Sequence, residues 1–214
     1  MKAGVYLLIG SLLTIPGVAM ATEEPTYTIL NQSEDFELRR YDPQIVAETW
    51  VSGDQKEAGN KGFKVLADYI FGNNTAPSGE SSKISMTSPV KMQPQKADGD
   101  QSQKIAMTAP VGMQQNDGKW RVRFVMASKY TMQTLPKPNN SAVSLVEVPV
   151  QTYGVIKFSG FTGEQKVADK TQELKNWMQS QNLTLVADAE MARYDPPWTL
   201  PFMRRNEIMI KYQQ

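Results

Sequence analysis

The residues best suited to chemistry in this chain are methionines in a phrase that occurs twice. KISMTSPVKMQ runs from Lys83 to Gln93, and KIAMTAPVGMQ runs from Lys104 to Gln114. Thioether sulfur is a soft ligand that suits Cu(I), and it also packs well into irregular apolar walls. The two methionines of each copy are six positions apart, so an unbroken strand would place both on one face. A proline intervenes in each copy, and a wall-forming role is therefore favoured over Cu(I) handling.

The chain contains neither histidine nor cysteine. Histidine is the commonest metal ligand and general base, and cysteine supplies thiolate ligands and nucleophiles. Their absence excludes zinc enzymes, cysteine hydrolases and serine–histidine hydrolases. No spacing of glutamate and tyrosine identifies an acid–base pair, so we expect a protein that is not an enzyme and carries no metal site.

Residues 1–21 have the pattern of a secretory signal peptide. A lysine at position 2 precedes an apolar run over residues 5–15, and Ala19-Met20-Ala21 provides small residues for cleavage after Ala21. The apolar run is shorter than the roughly 20 residues that span a bilayer. We therefore expect a periplasmic or secreted protein with no stable membrane anchor.

The remaining residues, 22–214, suit a single domain that folds without disulfides. The chain has 23 Lys and Arg against 22 Asp and Glu, and one of the lysines belongs to the leader. A balance this even gives no indication of nucleic acid or of an anionic membrane as a partner.

Two similar helices are predicted along the chain, and the first of them carries several candidate residues. Two stretches 110 residues apart begin alike, SGDQKEAGNKGFKVLADYI at Ser52 and TGEQKVADKTQELKNWMQS at Thr162. Each has the form of a capping box, with the hydroxyl residue at the helix N-cap and a glutamine three positions later. Apolar residues at helical spacing follow, and the helices are expected to end at Gly72 and near Gln181.

Strand-like segments lie before and after each predicted helix. They begin at Thr26, Asp35, Pro43, Lys119, Ser141, Thr152 and Arg205. In KWRVRFVMA apolar residues alternate with arginines, which predicts one buried face. The two halves, about 26–136 and 140–214, indicate an α+β fold in which a curved antiparallel sheet or barrel carries both helices.

The two copies of the repeated phrase are predicted to pair as a hairpin. The first strand would end at Pro89, because proline cannot donate to a strand ladder, and Ile84 and Met86 would share one face. The second copy would repeat this arrangement around Met107. We expect these methionines to turn toward a shared interior wall.

Several long motifs resemble the SOUL family of haem-binding proteins. KIAMTAPV, VRFVMASKYTMQTLPKPNN, YGVIKFSGFTGEQKV and ARYDPPWTLPFMRRNEIMIKY occur in this order, and the resemblance runs from about Tyr27 to Tyr212. It implies duplicated βαββ halves that form a distorted antiparallel β-barrel with two helices, similar to the effector-binding domains of bacterial multidrug-responsive regulators. It also implies binding of haem or another tetrapyrrole in a hydrophobic cleft beside a helix.

The chain departs from the family at the axial ligand of haem. The resemblance implies a histidine ligand in some relatives, whereas Arg40 stands in the LRRYDP stretch of this sequence. Haem, the expected cofactor, would be held by apolar contact or meet a Tyr phenolate or Met thioether. The expected function is non-enzymatic binding of a tetrapyrrole or related hydrophobic ligand without histidine ligation. The alternative is a general small-molecule or protein interaction module with no tetrapyrrole specificity.

The candidate ligand-binding residues follow from this expectation. Phe63, Leu66 and Ile70 of the first helix would form the cleft wall together with Met86 and Met107. Basic side chains would pair with ligand carboxylates, and two phenols are the iron ligands to test first. These residues are Lys61, Lys64, Arg204 and Arg205, with Tyr41 and Tyr69 as the phenols. Each also has a structural interpretation, since an apolar helical stripe is usually core and such arginines fit an ion-paired strand.

The segment YDPPWTLPF is predicted to be a stiff loop. Its prolines remove backbone donors and restrict the chain. Trp198 and Phe202 then cover either the core or a ligand, and their aromatic character suits both roles.

Overall fold

The computed structural model describes residues 23–94 and 119–213, which form two α-helices and a large antiparallel sheet. The strands are β1 (Tyr27–Ser33), β2 (Phe36–Tyr41), β3 (Gln44–Ser52), β4 (Asn74–Thr75), β5 (Val90–Pro94), β6 (Lys119–Val125), β7 (Lys137–Pro138), β8 (Ser144–Val148), β9 (Gln151–Phe158), β10 (Thr184–Leu185), β11 (Glu190–Arg193) and β12 (Asn206–Gln213). The helices are α1 (Gln55–Phe71) and α2 (Glu164–Ser180), and Pro201–Met203 form a 3-10 turn. The predicted leader and the second copy of the repeated phrase, with Met107, lie outside the described residues.

The sheet contains one arrangement of strands twice. In the first half α1 follows β3 and precedes β5 and β6, and the strand order is β5-β6-β3. In the second half α2 follows β9 and precedes β11 and β12, and the order is β11-β12-β9. The halves join where β5 pairs with β11, from Val90 opposite Arg193 to Met92 opposite Met191. The prediction of duplicated βαββ halves in an α+β fold is confirmed.

Each half lends one strand to the other. β2 precedes β3 in the chain but pairs with β9, and β8 precedes β9 but pairs with β3. β1 extends the sheet beside β2, β10 pairs with β12, and β4 and β7 form a separate two-stranded pair. The two halves are therefore interlocked through their strands.

The starts of both helices differ from the prediction. Asp54 is the N-cap of α1, and its carboxylate accepts a hydrogen bond from the backbone N–H of Glu57 at 2.8 Å. Ser52 remains the last residue of β3, because the strand continues to pair with β6 up to that point. Gly163, which has no side chain that can cap, is the N-cap of α2 in place of Thr162. The predicted capping boxes are therefore wrong.

Both helices end as predicted and pack on the same face of the sheet. Their C-caps are Gly72 and Gln181. α1 contacts β3 and β6, while α2 contacts β9 and β12. Gly62 allows a close approach of α1, since a Cβ atom there would lie 2.4 Å from Cγ2 of Val122. The shared core includes Leu66, Ile70, Leu174 and Met178. Within the described ranges, no helix has the length and apolar character needed to cross a membrane.

The opposite face of the sheet is also buried, although neither helix covers it. Arg39, Lys91 and Glu207 on this face are almost inaccessible to solvent. An apolar cluster of Tyr41, Tyr153, Val155, Ala192 and Met209 lies on the same side. A flat sheet would expose these residues, so their burial reflects the curl of the sheet into a half-barrel. The prediction of a single buried face on β6 is therefore incomplete, because Arg121 and Arg123 point into the interior of the half-barrel.

The first copy of the repeated phrase is not the strand that its pattern predicts. Residues 81–86 belong to no strand, and β5 begins at Val90, after the cis peptide between Ser88 and Pro89. Proline needs no ladder donor at a strand start, which is consistent with a strand on its C-terminal side. Ile84 is buried whereas Met86 is exposed, so the two do not share an interior face.

Other residues of the same phrase form the interior wall. The hydroxyl of Thr87 is buried and donates to the backbone carbonyl of Val125. Met92 belongs to the main core, near Gly59 of α1. Met92 therefore has the packing role predicted for Met86, and the separation of the two side chains removes the paired-thioether geometry for Cu(I).

Candidate functional site

A cleft of about 850 Å³ opens at one end of the half-barrel. Five segments bound it: residues 23–26, the β2–β3 turn, Thr87, the end of β6 with the residues that follow it, and the β8–β9 connection. Its apolar lining consists of Pro25, Pro43, Ile45, Val125, Met126, Ala127, Tyr130, Val148, Pro149 and Val150. Ligand pockets typically measure roughly 300–1,000 Å³, so this cleft is large enough for a tetrapyrrole.

Strand pairing brings the walls of the cleft together. On β3, Val46 lies opposite Val125 of β6 on one side and Val146 of β8 on the other. Just beyond β6, the backbone N–H of Met126 donates to the carbonyl of Ile45 at 2.8 Å. Because β8 belongs to the second half of the chain, the cleft depends on the strand exchange.

The segment 23–26 closes one side of the cleft and is held at both of its glutamates. The carboxylate of Glu23 accepts from the backbone N–H of Ser128 at 2.7 Å, and its carbonyl accepts from the N–H of Ser88 at 2.9 Å. The hydrogen bond from Ser128 lowers the pKa of Glu23. Glu24 forms a two-bond ion pair with Arg205, at 3.2 and 2.7 Å.

The charged lining of the cleft is acidic. Glu23, Glu24, Asp42 and Glu147 line it, and no lysine or arginine is among its described lining residues. Glu24 is neutralised by Arg205. Asp42 and Glu147 form no ion pair within residues 23–94 and 119–213. Like charges repel in a partly buried site, so the cleft favours neutral or cationic ligands over ligands that carry carboxylates.

A second, smaller cavity of about 280 Å³ lies inside the half-barrel and shares Glu147, Val148 and Pro149 with the cleft. Its floor is a network of charges around Glu190. Arg123 lies 3.2 Å and Arg121 3.5 Å from Glu190, and the Nζ atom of Lys91 lies 3.9 Å from it. Burial lowers the pKa of Lys91. This cavity is too small and too polar for a tetrapyrrole.

The interior beside this cavity is organised by Arg39. Its guanidinium donates to Glu37 at 2.6 Å, to Glu207 at 2.9 and 3.0 Å, and to the phenol oxygen of Tyr41 at 2.9 Å. Burial opposes the charge of Arg39, but the hydrogen bonds to Glu207 outweigh it and raise the pKa of Arg39 above its ordinary value. Tyr194 also donates to Glu207, at 2.6 Å. The network ties β2 of the first half to β12 of the second.

The residues predicted to form the wall of a ligand cleft do not line the cleft that the structure contains. Of the candidate residues that the structure describes, none lines either cavity. Leu66 and Ile70 are fully buried against the sheet, while Phe63 and Met86 are exposed on the surface. Met107 is outside the described residues. The apolar stripe of α1 is therefore core on its inner side, where Leu66 and Ile70 belong to the main apolar cluster.

The predicted basic residues are also distributed over the surface. Lys61 is paired with Glu57 on the exposed face of α1, and Lys64 is exposed nearby. Arg204 donates to backbone carbonyls of the loop before it, and Arg205 pairs with Glu24 at the edge of the cleft. Arg205 thus supports a wall of the cleft without facing its interior.

The two predicted phenols are buried and already bonded. Burial raises the pKa of Tyr41 well above its ordinary value, and burial raises the pKa of Tyr69 to about 12. Tyr69 donates to the carbonyl of Pro136 at 2.8 Å. Both phenols therefore stay protonated near neutral pH and are unsuited to ligate iron as phenolates.

The residues present fit a flat apolar molecule better than an iron centre held by the protein. Histidine is absent from the chain, and no group of three or more Asp or Glu side chains in the described ranges is arranged to hold a metal ion. Met126 provides a thioether and Tyr130 a phenol in the cleft lining. This cleft was not predicted from the sequence. The local feature of the sequence that points to it is the alternation of apolar residues, which continues beyond β6 to Met126 in the cleft lining.

The sequence matches the profile of the SOUL heme-binding protein family in two consecutive stretches, residues 22–103 and 95–211. No curated protein matches the chain by sequence. The stretches overlap at residues 95–103; the first contains β1 to β5, and the second begins before β6 and ends within β12.

Solved structures share the fold at low sequence identity. The crystal structure of the EcmrR C-terminal domain has a TM-score of 0.57 at 11% identity and covers 88% of this chain and 98% of that one. A structure described as a hydrolase encoded by lin2189 from Listeria innocua has a TM-score of 0.57 at 12% identity, with 84% and 92% covered. An uncharacterized conserved protein from Listeria innocua has a TM-score of 0.56 at 11% identity, with 91% and 94% covered.

Proposed function

The chain belongs to the SOUL haem-binding protein family, and from that membership we propose that it binds a tetrapyrrole or a related flat hydrophobic ligand, without catalysis. The observation that supports a location is the 850 Å³ cleft with its apolar walls. The ligand would lie against Ile45, Met126 and Val148, with Tyr130 at its edge. Burial of apolar surface would supply the affinity, at about 25 cal/mol per Å² before ordering costs.

Iron ligation is not required in this proposal. The family histidine has no counterpart here, and Tyr41 and Tyr69 are neutral and engaged in other hydrogen bonds. Haem, when bound, would supply its own iron chemistry, while the chain would hold the macrocycle and exclude water from its faces. The acidic lining predicts that ligand carboxylates remain outside the cleft or weaken binding.

The test is a titration of the purified protein with hemin, iron-free protoporphyrin and protoporphyrin dimethyl ester. We expect hemin and protoporphyrin to bind with similar affinity, because iron adds no bond to the protein. The ester is expected to bind more tightly, because it carries no carboxylates. Absence of saturable binding by all three ligands would contradict the proposal, and a large preference for hemin would contradict contact-only binding.

Two exposed valines provide a matched test of the location. Val150 lines the cleft, whereas Val186 lies outside both cavities. Val150→Asp adds a charge to the cleft and is expected to weaken binding of the ester by roughly tenfold, about 1.4 kcal/mol. Val186→Asp should leave the affinity unchanged. Equal effects of the two substitutions would remove the cleft as the binding site.

The acidic lining favours a second candidate function, the binding of cationic amphipathic molecules without tetrapyrrole specificity. Asp42 and Glu147 would then attract the ligand charge. A panel of amphipathic cations and fatty acids tested by thermal shift separates the two, since a ligand at 100 times its dissociation constant stabilises by about 2.7 kcal/mol. Glu147→Gln should weaken binding of cations and not of the neutral ester. Flat responses to all cations would exclude this candidate.

A further inference from the structure

The loop between β11 and β12 exposes apolar side chains that line neither cavity. Residues 194–205 form this loop, and their tip carries Trp198, which is 83% exposed, and Phe202, which is 73% exposed. Leu200 (55%), Met203 (63%) and, from the β9–α2 connection, Phe161 (68%) complete a surface that we call the apolar tip. No residue of the tip lines the cleft or the smaller cavity.

The loop is held in this exposed arrangement by its own contacts. The backbone N–H of Gly160 donates to the carbonyl of Pro201 at 2.8 Å, which joins the two segments of the tip. The guanidinium of Arg204 donates to the carbonyls of Thr199 and Pro197 and lies 5.5 Å from the ring centroid of Phe161. The apolar side chains thus protrude from a braced loop.

The base of the loop is anchored in the protein interior. Tyr194 donates to the buried carboxylate of Glu207, and the guanidinium of Arg205 lies 3.6 Å from the ring centroid of Tyr194. An exposed cluster of large apolar side chains is unfavourable in water and usually marks an interaction site. Here the side chains of the cluster are exposed to solvent, which suits insertion into a soft apolar phase.

Two arginines beside the tip have no acidic partner among the residues that the structure describes. Arg193 and Arg204 form no ion pair with any described carboxylate, and the buried Nε atom of Arg193 has no hydrogen-bond partner in the same residues. Burial and the nearby charge of Arg204 lower the pKa of Arg193. An anion placed here would offset the two neighbouring positive charges.

We propose that the apolar tip docks the protein on a membrane surface that contains anionic phospholipid. Trp198, Phe202 and Leu200 would enter the boundary between head groups and acyl chains, where aromatic side chains are favoured. Arg193 and Arg204 would meet lipid phosphates, which attract basic residues near the surface. The even charge balance of the whole chain does not oppose this docking, because the interaction depends on the local charges beside the tip.

Vesicle sedimentation tests the docking. The purified protein is mixed with vesicles of phosphatidylcholine alone or of phosphatidylcholine and phosphatidylglycerol at three to one. We expect binding to the mixed vesicles, reduced at least tenfold by Trp198→Ser with Phe202→Ser. Phe71→Ser is the matched control, because Phe71 is 60% exposed at the end of α1, away from the tip. Thermal unfolding checks that each variant retains the fold.

Two further measurements separate the apolar and charged parts. Brominated lipids should quench the tryptophan fluorescence of the protein, and the quenching should be much weaker in Trp198→Phe. The leader contains no tryptophan and cannot produce the signal. Arg193→Gln should reduce the preference for phosphatidylglycerol, because only Arg204 remains to meet the phosphates, and should leave the weaker binding to phosphatidylcholine. An unchanged preference would contradict the charged part of the proposal.

Three results would overturn the proposal. These are no sedimentation with either vesicle, wild-type sedimentation of the Trp198 and Phe202 double variant, and quenching unchanged in Trp198→Phe. Self-association that the double variant abolishes, measured by light scattering in the absence of lipid binding, would instead identify the tip as an interface between copies of the chain and would equally overturn membrane docking.

Discussion

Arg39 and Arg40 are neighbours in β2, but the strand sends their side chains to opposite faces of the sheet. Arg39 is buried between Glu37 and Glu207, whereas Arg40 is exposed. The sequence LRRYDP does not distinguish them, because a half-barrel buries a face that an open sheet would expose. This is the stretch in which the family resemblance would place the axial histidine of some relatives. In this chain it contributes Arg39 to the interior ion network.

Replacement of Arg39 should therefore be far more damaging than replacement of Arg40. Arg39→Met leaves Glu207 buried without its main counter-charge and is expected to lower the free energy of unfolding by about 3–5 kcal/mol. Arg40→Met should change it by less than about 0.5 kcal/mol. Urea unfolding followed by tryptophan fluorescence measures both. Similar values for the two variants would show that the buried network does not stabilise the fold.

Tyr69 predicts a specific dependence of stability on alkaline pH. Burial raises its pKa to about 12, above the ordinary value of about 10. The unfolded chain loses this proton near pH 10 while the folded protein retains it, so the stabilisation is complete below pH 10 and is lost as the pH rises toward 12. Tyr69→Phe should cost about 1 kcal/mol at pH 7 through the lost bond to Pro136.

The same variant should lose stability less steeply than the wild type above pH 10. Urea unfolding at a series of pH values from 7 to 11.5 gives both slopes. Identical slopes would mean that Tyr69 ionises in the folded protein as readily as in the unfolded chain.

At the scale of elements, the two glycines of α1 report how tightly the helix lies on the sheet. A Cβ atom at Gly62 would lie 2.4 Å from Val122, which belongs to a packed strand. At Gly59 it would lie 3.1 Å from Sδ of Met92, the flexible end of a side chain. Alanine favours a helix over glycine by about 1 kcal/mol at both positions. The neighbouring atoms therefore decide whether a Gly→Ala substitution raises or lowers the free energy of unfolding.

Gly62→Ala is expected to destabilise the protein by about 1–3 kcal/mol, because α1 must move away from β6. Gly59→Ala should be neutral or stabilising by up to about 1 kcal/mol, because Met92 can change its rotamer. Thermal unfolding of the two variants under identical conditions provides the comparison. Equal destabilisation at both sites would indicate that Met92 cannot adjust.

The helices and the long strands were predictable because the spacing of their apolar residues is a local pattern. The ends of the helices were also predictable, from Gly72 and Gln181 in the sequence. The short strand β11 (Glu190–Arg193) was missed, since four residues carry too little pattern, and β5 was placed on the wrong side of Pro89. The capping box predicted for α1 failed for a non-local reason, because Ser52 is required by the pairing of β3 with β6. Tertiary pairing therefore overrides a favourable cap at Ser52. Nothing among the residues that the structure describes gives a similar reason for Thr162.

At the scale of the whole molecule, the cleft was not predictable because its walls come from both halves. Ile45 and Val148 meet only after β8 crosses to pair with β3. The family resemblance indicated a cleft beside a helix, and the apolar stripe of α1 looked suitable. The structure uses that stripe as core, and the cavity lies where the strand ends meet.

The exchange of β2 and β8 predicts that neither half folds alone as a monomer. A chain that stops after Pro136 would lack β9, one of the two strands that pair with β2, and β8, the outer neighbour of β3. We expect no cooperative unfolding transition from such a chain in circular dichroism, whereas the full chain should show coincident transitions by fluorescence and circular dichroism. A cooperative, monomeric first half in size-exclusion chromatography would contradict this.

The same exchange carries a consequence for the origin of the fold. In each half, the strand that precedes the βαββ unit pairs with the other half: β2 precedes β3 but pairs with β9, and β8 precedes β9 but pairs with β3. Two identical half-length chains that followed this rule would complete each other as a symmetric homodimer, with β5 against its own copy at the dimer axis. A gene fusion of such a dimer gives the present topology without any change of strand order, and sequence divergence of the two copies then allows the two ends of the half-barrel to differ.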